Sequence, residues 1–139
     1  MFGMTKKQFL KRSKKTLNQT GGLILLIREI MDKESSGKIN NYEAFTMADN
    51  IRKELESIFY QFEKRKPPSK CSRMHLRILR SLTDFQEAVT LYSEHLTAVK
   101  NGKDEESKTR LKESVDALEE FRKDFHVISD KVNSLLLEK

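Results

Sequence analysis

Residues 71–99 read CSRMHLRILRSLTDFQEAVTLYSEHLTAV, and the spacing of their apolar side chains decides the fold. Cys71, His75, Ile78, Leu82, Phe85, Val89, Tyr92, Leu96 and Val99 follow one another in alternating steps of four and three residues without interruption. An average step of about 3.5 residues keeps one stripe of an α-helix turned toward a partner for roughly eight turns. The stretch therefore reads as a long helix in a bundle.

The flanks divide the rest of the chain. Downstream, Asn101-Gly102 supplies residues that tolerate the left-handed geometry of a helix end. Asp104 is then expected to cap a fourth helix, with Glu105 and Glu106 opposing the positive end of its dipole. Its stripe reads Leu111, Val115, Leu118, Phe121, Phe125, Ile128, Val132 and Leu135, and the successive short steps from Val115 to Phe121 predict a local rotation against its neighbour. Upstream, Pro67-Pro68 ends a second helix, because proline lacks the amide hydrogen a helix needs and restricts the residue before it. That helix opens at Asn40 with Glu43 three residues on, and carries Ala44, Ala48, Ile51, Leu55, Ile58 and Phe62 on one stripe, flanked by Phe45 and Phe59.

Thr5-Lys6-Lys7-Gln8 has capping-box spacing and starts a first helix, which ends at the turn-forming Ser35-Ser36-Gly37. Its stripe, Leu10, Ser13, Leu17, Thr20, Ile24, Ile27 and Met31, mixes small polar residues into the first half, which predicts looser packing there. Gly21-Gly22 divides the halves, and since glycine costs about 1 kcal/mol against alanine inside a helix, the pair implies either a bend or a close neighbour. Residues 23–27 are apolar around the whole circumference, which predicts burial on more than one face.

The expectation is an all-α chain with helices at about 5–33, 41–66, 70–100 and 104–137, forming one domain over residues 1–139. Loops this short favour an antiparallel up-down-up-down four-helix bundle. Composition agrees: 37% of residues are apolar and 35% charged, with five Gly, two Pro and no Trp, a balance that suits amphipathic helices better than sheets.

Cys71 is the only cysteine, so no intramolecular disulfide forms and a reducing compartment is the simpler expectation. The longest apolar run, residues 23–27, is five long against the roughly 20 that a membrane span needs. Basic residues precede it as in a signal peptide, but no small-residue cleavage pattern follows, so the expected location is the cytoplasm.

Motifs for catalysis are missing: there is no glycine-rich phosphate loop, no paired Cys-x-x-Cys, no His-Glu-x-x-His and no Glu-x-x-His of the di-iron type. The expected role is a non-catalytic interaction or structural one without a cofactor, in which surplus apolar residues at 23–27 and 135–137 meet a protein partner or a second copy. A first alternative is metal or small-ligand binding by Cys71, His75 and His126. Cys71 and His75 are four apart on the stripe, an antiparallel fourth helix brings His126 to the same level, and the second helix adds Tyr60 and Glu63. A thiolate with two imidazoles suits zinc, although cysteine is equally at home as a small buried hydrophobe. His95 falls off the stripe and reads as a solvated residue.

A second alternative follows from charge. Residues 1–28 hold seven cations and no acidic residue, in a chain whose net charge is +6, so the imbalance is local. Lys7, Lys11, Lys14 and Lys15 share an outer face that suits an anionic membrane surface, with Phe2, Met4 and Phe9 as anchors, or else merely keeps the helix solvated. Nucleic acid is disfavoured, since no aromatics interleave for stacking and no helix-turn-helix spacing is present.

Pro67-Pro68, Met74-His75, Ile78-Leu79, Leu82, Phe85, Ala88, Leu91-Tyr92 and Asn101-Gly102 together resemble the helical hairpin of small uncharacterised four-helix proteins of Gram-positive, Bacillus-like bacteria. The likeness spans about residues 67–135 and implies a bacterial helical bundle with no known activity. Some proteins of that kind are exported lipoproteins, but no lipobox cysteine stands near the start of this sequence.

Overall fold

The structure is a computed structural model that describes residues 4–138. Four helices, α1 (Lys6–Ser35), α2 (Asn41–Glu63), α3 (Ser72–Lys100) and α4 (Asp104–Leu137), account for most of the chain, and no strand occurs among the described residues. Both expected capping boxes form. Thr5 Oγ1 accepts from the Gln8 amide at 3.1 Å while Gln8 Oε1 accepts from the Thr5 amide at 2.9 Å. Asn40 and Glu43 make the same reciprocal pair at 2.8 and 3.1 Å, so each helix start satisfies two otherwise orphaned donors.

The helix ends are also local chemistry. Gly102 has φ +70° and Gly37 φ +76°. Each lets the next amide fold back onto the last turn: Lys103 N–H donates to Ala98 O at 2.9 Å, and Lys38 N–H to Lys33 O at 2.8 Å. The fourth helix starts differently from expectation. Lys103 occupies the cap position without a side-chain bond, and Asp104 is already helical, its carbonyl accepting from Ser107 Oγ at 2.8 Å. The second helix stops at Glu63 rather than at residue 66, and a 3-10 turn, Ser69–Cys71, follows the prolines before α3 begins.

Helices adjacent in sequence are adjacent in space, and α4 returns to touch α1. Arg77 pairs with Asp124 at 2.8 Å, Ser114 Oγ donates to the Ala88 carbonyl at 2.8 Å, and His95 Nδ1 donates to the Ser107 carbonyl at 2.8 Å. Residue numbers thus rise along α3 as they fall along α4. Along α2 and α3, Asn41 Nδ2 donates to Leu96 O at 2.8 Å and His75 Nε2 to Phe62 O at 3.1 Å, with the same reversal.

The core stripe of α3 is seated as its spacing requires through Leu96, but its last position is not. Val99 is 44% exposed, while His95, expected in solvent, is 8% exposed. The reason is that α3 packs on both α2 and α4 and buries a second row seven residues apart, Ser81, Ala88 and His95. Opposite lie Ser107 and Ser114, small residues that let the two backbones approach closely enough for side chains to reach carbonyls across the seam.

The rotation expected in α4 is absent from the buried pattern. Ser107, Leu111, Ser114, Leu118, Phe121, Phe125, Ile128, Val132 and Leu135 face inward in unbroken steps of four and three, whereas Val115 is 44% exposed. The inward position there belongs to Ser114, whose hydroxyl reaches the Ala88 carbonyl, and not to Val115. Phe121 stacks on Phe85 with ring centroids 4.5 Å apart and planes at 20°, a pair worth about 0.5–1.5 kcal/mol beyond its buried area.

The first helix runs through Gly21-Gly22 without interruption. A Cβ at Gly21 would meet Phe125 Cζ at 3.6 Å, an ordinary contact, and one at Gly22 would meet nothing within 4 Å. Neither glycine makes room for a neighbour. Residues 23–27 are not buried all round: Leu25 is 69% and Leu26 42% exposed, and Leu137 at the far end is 85% exposed.

Candidate functional site

Cys71, His75 and His126 do not form a metal centre. Among the described residues no group of three or more His, Cys, Asp or Glu side chains is placed to hold a metal ion. The Arg77–Asp124 pair sets residues 75 and 126 at about the same level, but the side chains face apart. His75 is buried, its ring stacked on Phe62 at 4.9 Å and 6.2 Å from Phe9, while His126 is exposed beside Phe125. Tyr60 and Glu63 are exposed as well.

His75 has a structural task instead. Phe62 lies in the last turn of α2, where carbonyls lack intrahelical partners, and the imidazole Nε2–H supplies one. Cys71 is a free, buried thiol at the start of α3. Burial pushes its pKa up, and the nearby Lys6 charge opposes this only in part. A thiol held protonated in this way is a poor nucleophile and metal ligand.

The four lysines of the basic face separate when the neighbours of α1 are in place. Lys11 and Lys15 line a groove of about 340 Å³ between α1 and α2, together with Arg12, Gln8, Thr16, Gln19 and Gln61. Lys7 lines another groove, with Lys6 and Leu10 against Leu135 and Leu136 of α4. Lys14 is exposed. Of the expected membrane anchors, Phe9 is 1% exposed and packs on Phe62 in the core, Met4 is half-buried against the core, and Phe2 lies outside the described residues.

An apolar groove of about 390 Å³ lies farther along the same pair of helices. Leu23, Leu26 and Ile30 of α1 face Met47 and Ile51 of α2 across it, with Asn50 and Glu54 at its margin. Met47 is 41% and Leu26 42% exposed there, whereas Leu25 projects from a different face of α1. Sequence reading found the residues of this region but not their exposure, since a run that is apolar on every side carries no information about which side the neighbours leave open.

Among the described residues no helix is long and apolar enough to cross a membrane. Compared with protein-family models, with curated proteins and with solved structures, the chain matches none.

Proposed function

We propose that this chain is a single-domain, antiparallel up-down-up-down four-helix bundle that acts as a non-catalytic interaction module, and that it associates with a second copy through the α1/α2 apolar groove. The observation that carries the reading is the cluster of Leu23, Leu26, Ile30, Met47 and Ile51 around an open groove, where Leu26 is 42% and Met47 41% exposed. Exposed leucines scattered singly need no explanation, but a contiguous patch with a polar margin marks a contact surface. A second copy is the occupant this reading commits to, since a two-fold contact needs only that the same apolar patch meet itself. The buried, protonated thiol of Cys71 supports the non-catalytic side of the proposal.

Sedimentation equilibrium of the wild-type chain and of Met47→Glu tests it. The wild type is expected to sediment as a dimer that dissociates on dilution, and Met47→Glu as a monomer with unchanged helix content. A wild-type chain that remains monomeric at high concentration overturns the proposal.

A further inference from the structure

The polar groove between α1 and α2 holds cations with no carboxylate among them, unlike the groove beside Phe45. Where Phe45, Thr90 and Asn101 line a groove of about 490 Å³, its charges pair with one another, Arg110 with Glu94 at 3.2 Å and Arg52 with Asp49 at 3.0 Å. In the α1/α2 groove the charged lining residues are Lys11, Arg12 and Lys15, with no carboxylate. Among the described residues none of these three makes an ion pair.

Their positions explain why. Lys11 and Lys15 are four residues apart on one face of α1, where like charges repel. Arg12 stands beside them, and α2 contributes Gln61 from the opposite wall, a carboxamide that cannot neutralise them. Partial burial of the Arg12 guanidinium, and then repulsion from Arg65 just past the end of α2, push its pKa below the ordinary arginine value. Three cations thus line one groove with no carboxylate among them, a charge that a bound anion neutralises.

We infer that this groove is a binding site for a phosphate-bearing anion, held by Arg12, Lys11 and Lys15 with N–H donors from Gln19 and Gln61. Three cations suit a ligand of two or more negative charges better than a monocarboxylate. The guanidinium fork matches two oxygens of one phosphoryl group, while the ammonium groups act as mobile point charges on the others. A groove of about 340 Å³ has room for a diphosphate as well as for a single phosphate. The ligand phosphate belongs either to a soluble phosphate ester or to a lipid headgroup, and the two sources separate by experiment.

Pyrophosphate is titrated calorimetrically into the wild-type chain, Arg12→Gln/Lys15→Gln, Arg12→Lys and Lys14→Gln, with circular dichroism to verify folding. One pyrophosphate per wild-type chain is expected. Removing two charge-assisted contacts costs about tenfold or more in affinity, Arg12→Lys loses the fork and weakens binding several-fold, and Lys14→Gln stays within about twofold of wild type because its side chain lies outside the groove. Absence of pyrophosphate binding overturns the inference, as does undiminished binding by the double variant or an equal loss in Lys14→Gln. A second arm uses phosphatidylcholine vesicles with and without phosphatidic acid. If pyrophosphate displaces the chain from phosphatidic acid vesicles, the groove reaches a lipid phosphate; if the vesicles leave the chain unbound while pyrophosphate binds, its ligand is soluble. Both support the groove.

Discussion

Replacing His75 by phenylalanine isolates the task that the structure gives this residue. The ring remains, so stacking on Phe62 and the contact with Phe9 persist, while the Nε2–H that reaches the Phe62 carbonyl at 3.1 Å is lost. That carbonyl sits in the final turn of α2 on a residue only 3% exposed, with His75 itself 8% exposed, so solvent is a poor substitute. A net hydrogen bond is worth about 1 kcal/mol and an unsatisfied buried acceptor about 1–3. The added apolar ring area returns part of this, leaving an expected destabilisation of about 1–2 kcal/mol. For a chain of this length that is roughly 3–7 °C in melting temperature. Urea denaturation followed by circular dichroism measures it, and amide exchange in the last turn of α2 should quicken more than exchange in α4. Zinc should stabilise neither protein. A variant as stable as the wild type, or more so, would refute the capping role and reopen the question of why a histidine stands at this core position.

Further consequences are open to simple measurement. Gly22→Ala should stabilise the fold by about 1 kcal/mol, because α1 is helical there and the new Cβ meets no neighbour; a loss of stability in thermal denaturation would mean that α1 must bend at this point. Tyr92 is 1% exposed and donates to Glu34 Oε1 at 3.4 Å. Burial, and then the Glu34 charge, raise its pKa well above the ordinary phenol value. A raised folded-state pKa gives stability that is present below the unfolded value near 10 and is lost as pH climbs toward the folded one, at about 1.4 kcal/mol per pH unit. Tyr92→Phe should remove that alkaline slope from urea titrations, and an unchanged slope would assign it to other groups.

The sequence made some features legible because a single physical rule governs them. The inward stripe of α3, the Thr5/Gln8 and Asn40/Glu43 boxes and the left-handed glycine after α3 each depend on residues close in the chain. The misreadings arose where a second helix decides the outcome. Val115 reads as the inward position until the Ala88 carbonyl is seen to accept the Ser114 hydroxyl, and His95 reads as solvated until Ser107 is placed beside it. Once Ser114 and His95 are counted as buried, the seven-residue spacing of Ser81, Ala88 and His95 and the regular stripe of α4 become visible in the sequence itself.

The candidate sites follow the same division. Pairing Cys71 and His75 by helical spacing placed both on the buried side, but the third ligand depended on the rotation of α4, and His126 faces out. The lysines of α1 share a surface in one dimension only. Once α2 and α4 flank that helix, Lys11 and Lys15 enter one groove and Lys7 another. The unneutralised character of the first groove depends on which residues of α2 complete it, and Gln61 does so where a glutamate would have cancelled the charge.

The claim that the exposed apolar surface of α1 and α2 is a contact between copies is tested most directly by dipolar spectroscopy with one spin label per chain. In a Cys71→Ala background, a label at Asn50 lies at the margin of the apolar groove, and a label at Lys123 lies on the exposed surface of α4. Self-association through the groove predicts an intermolecular distance that is measurable and shorter for Asn50 than for Lys123. No dipolar coupling at Asn50, or a shorter separation at Lys123, contradicts it.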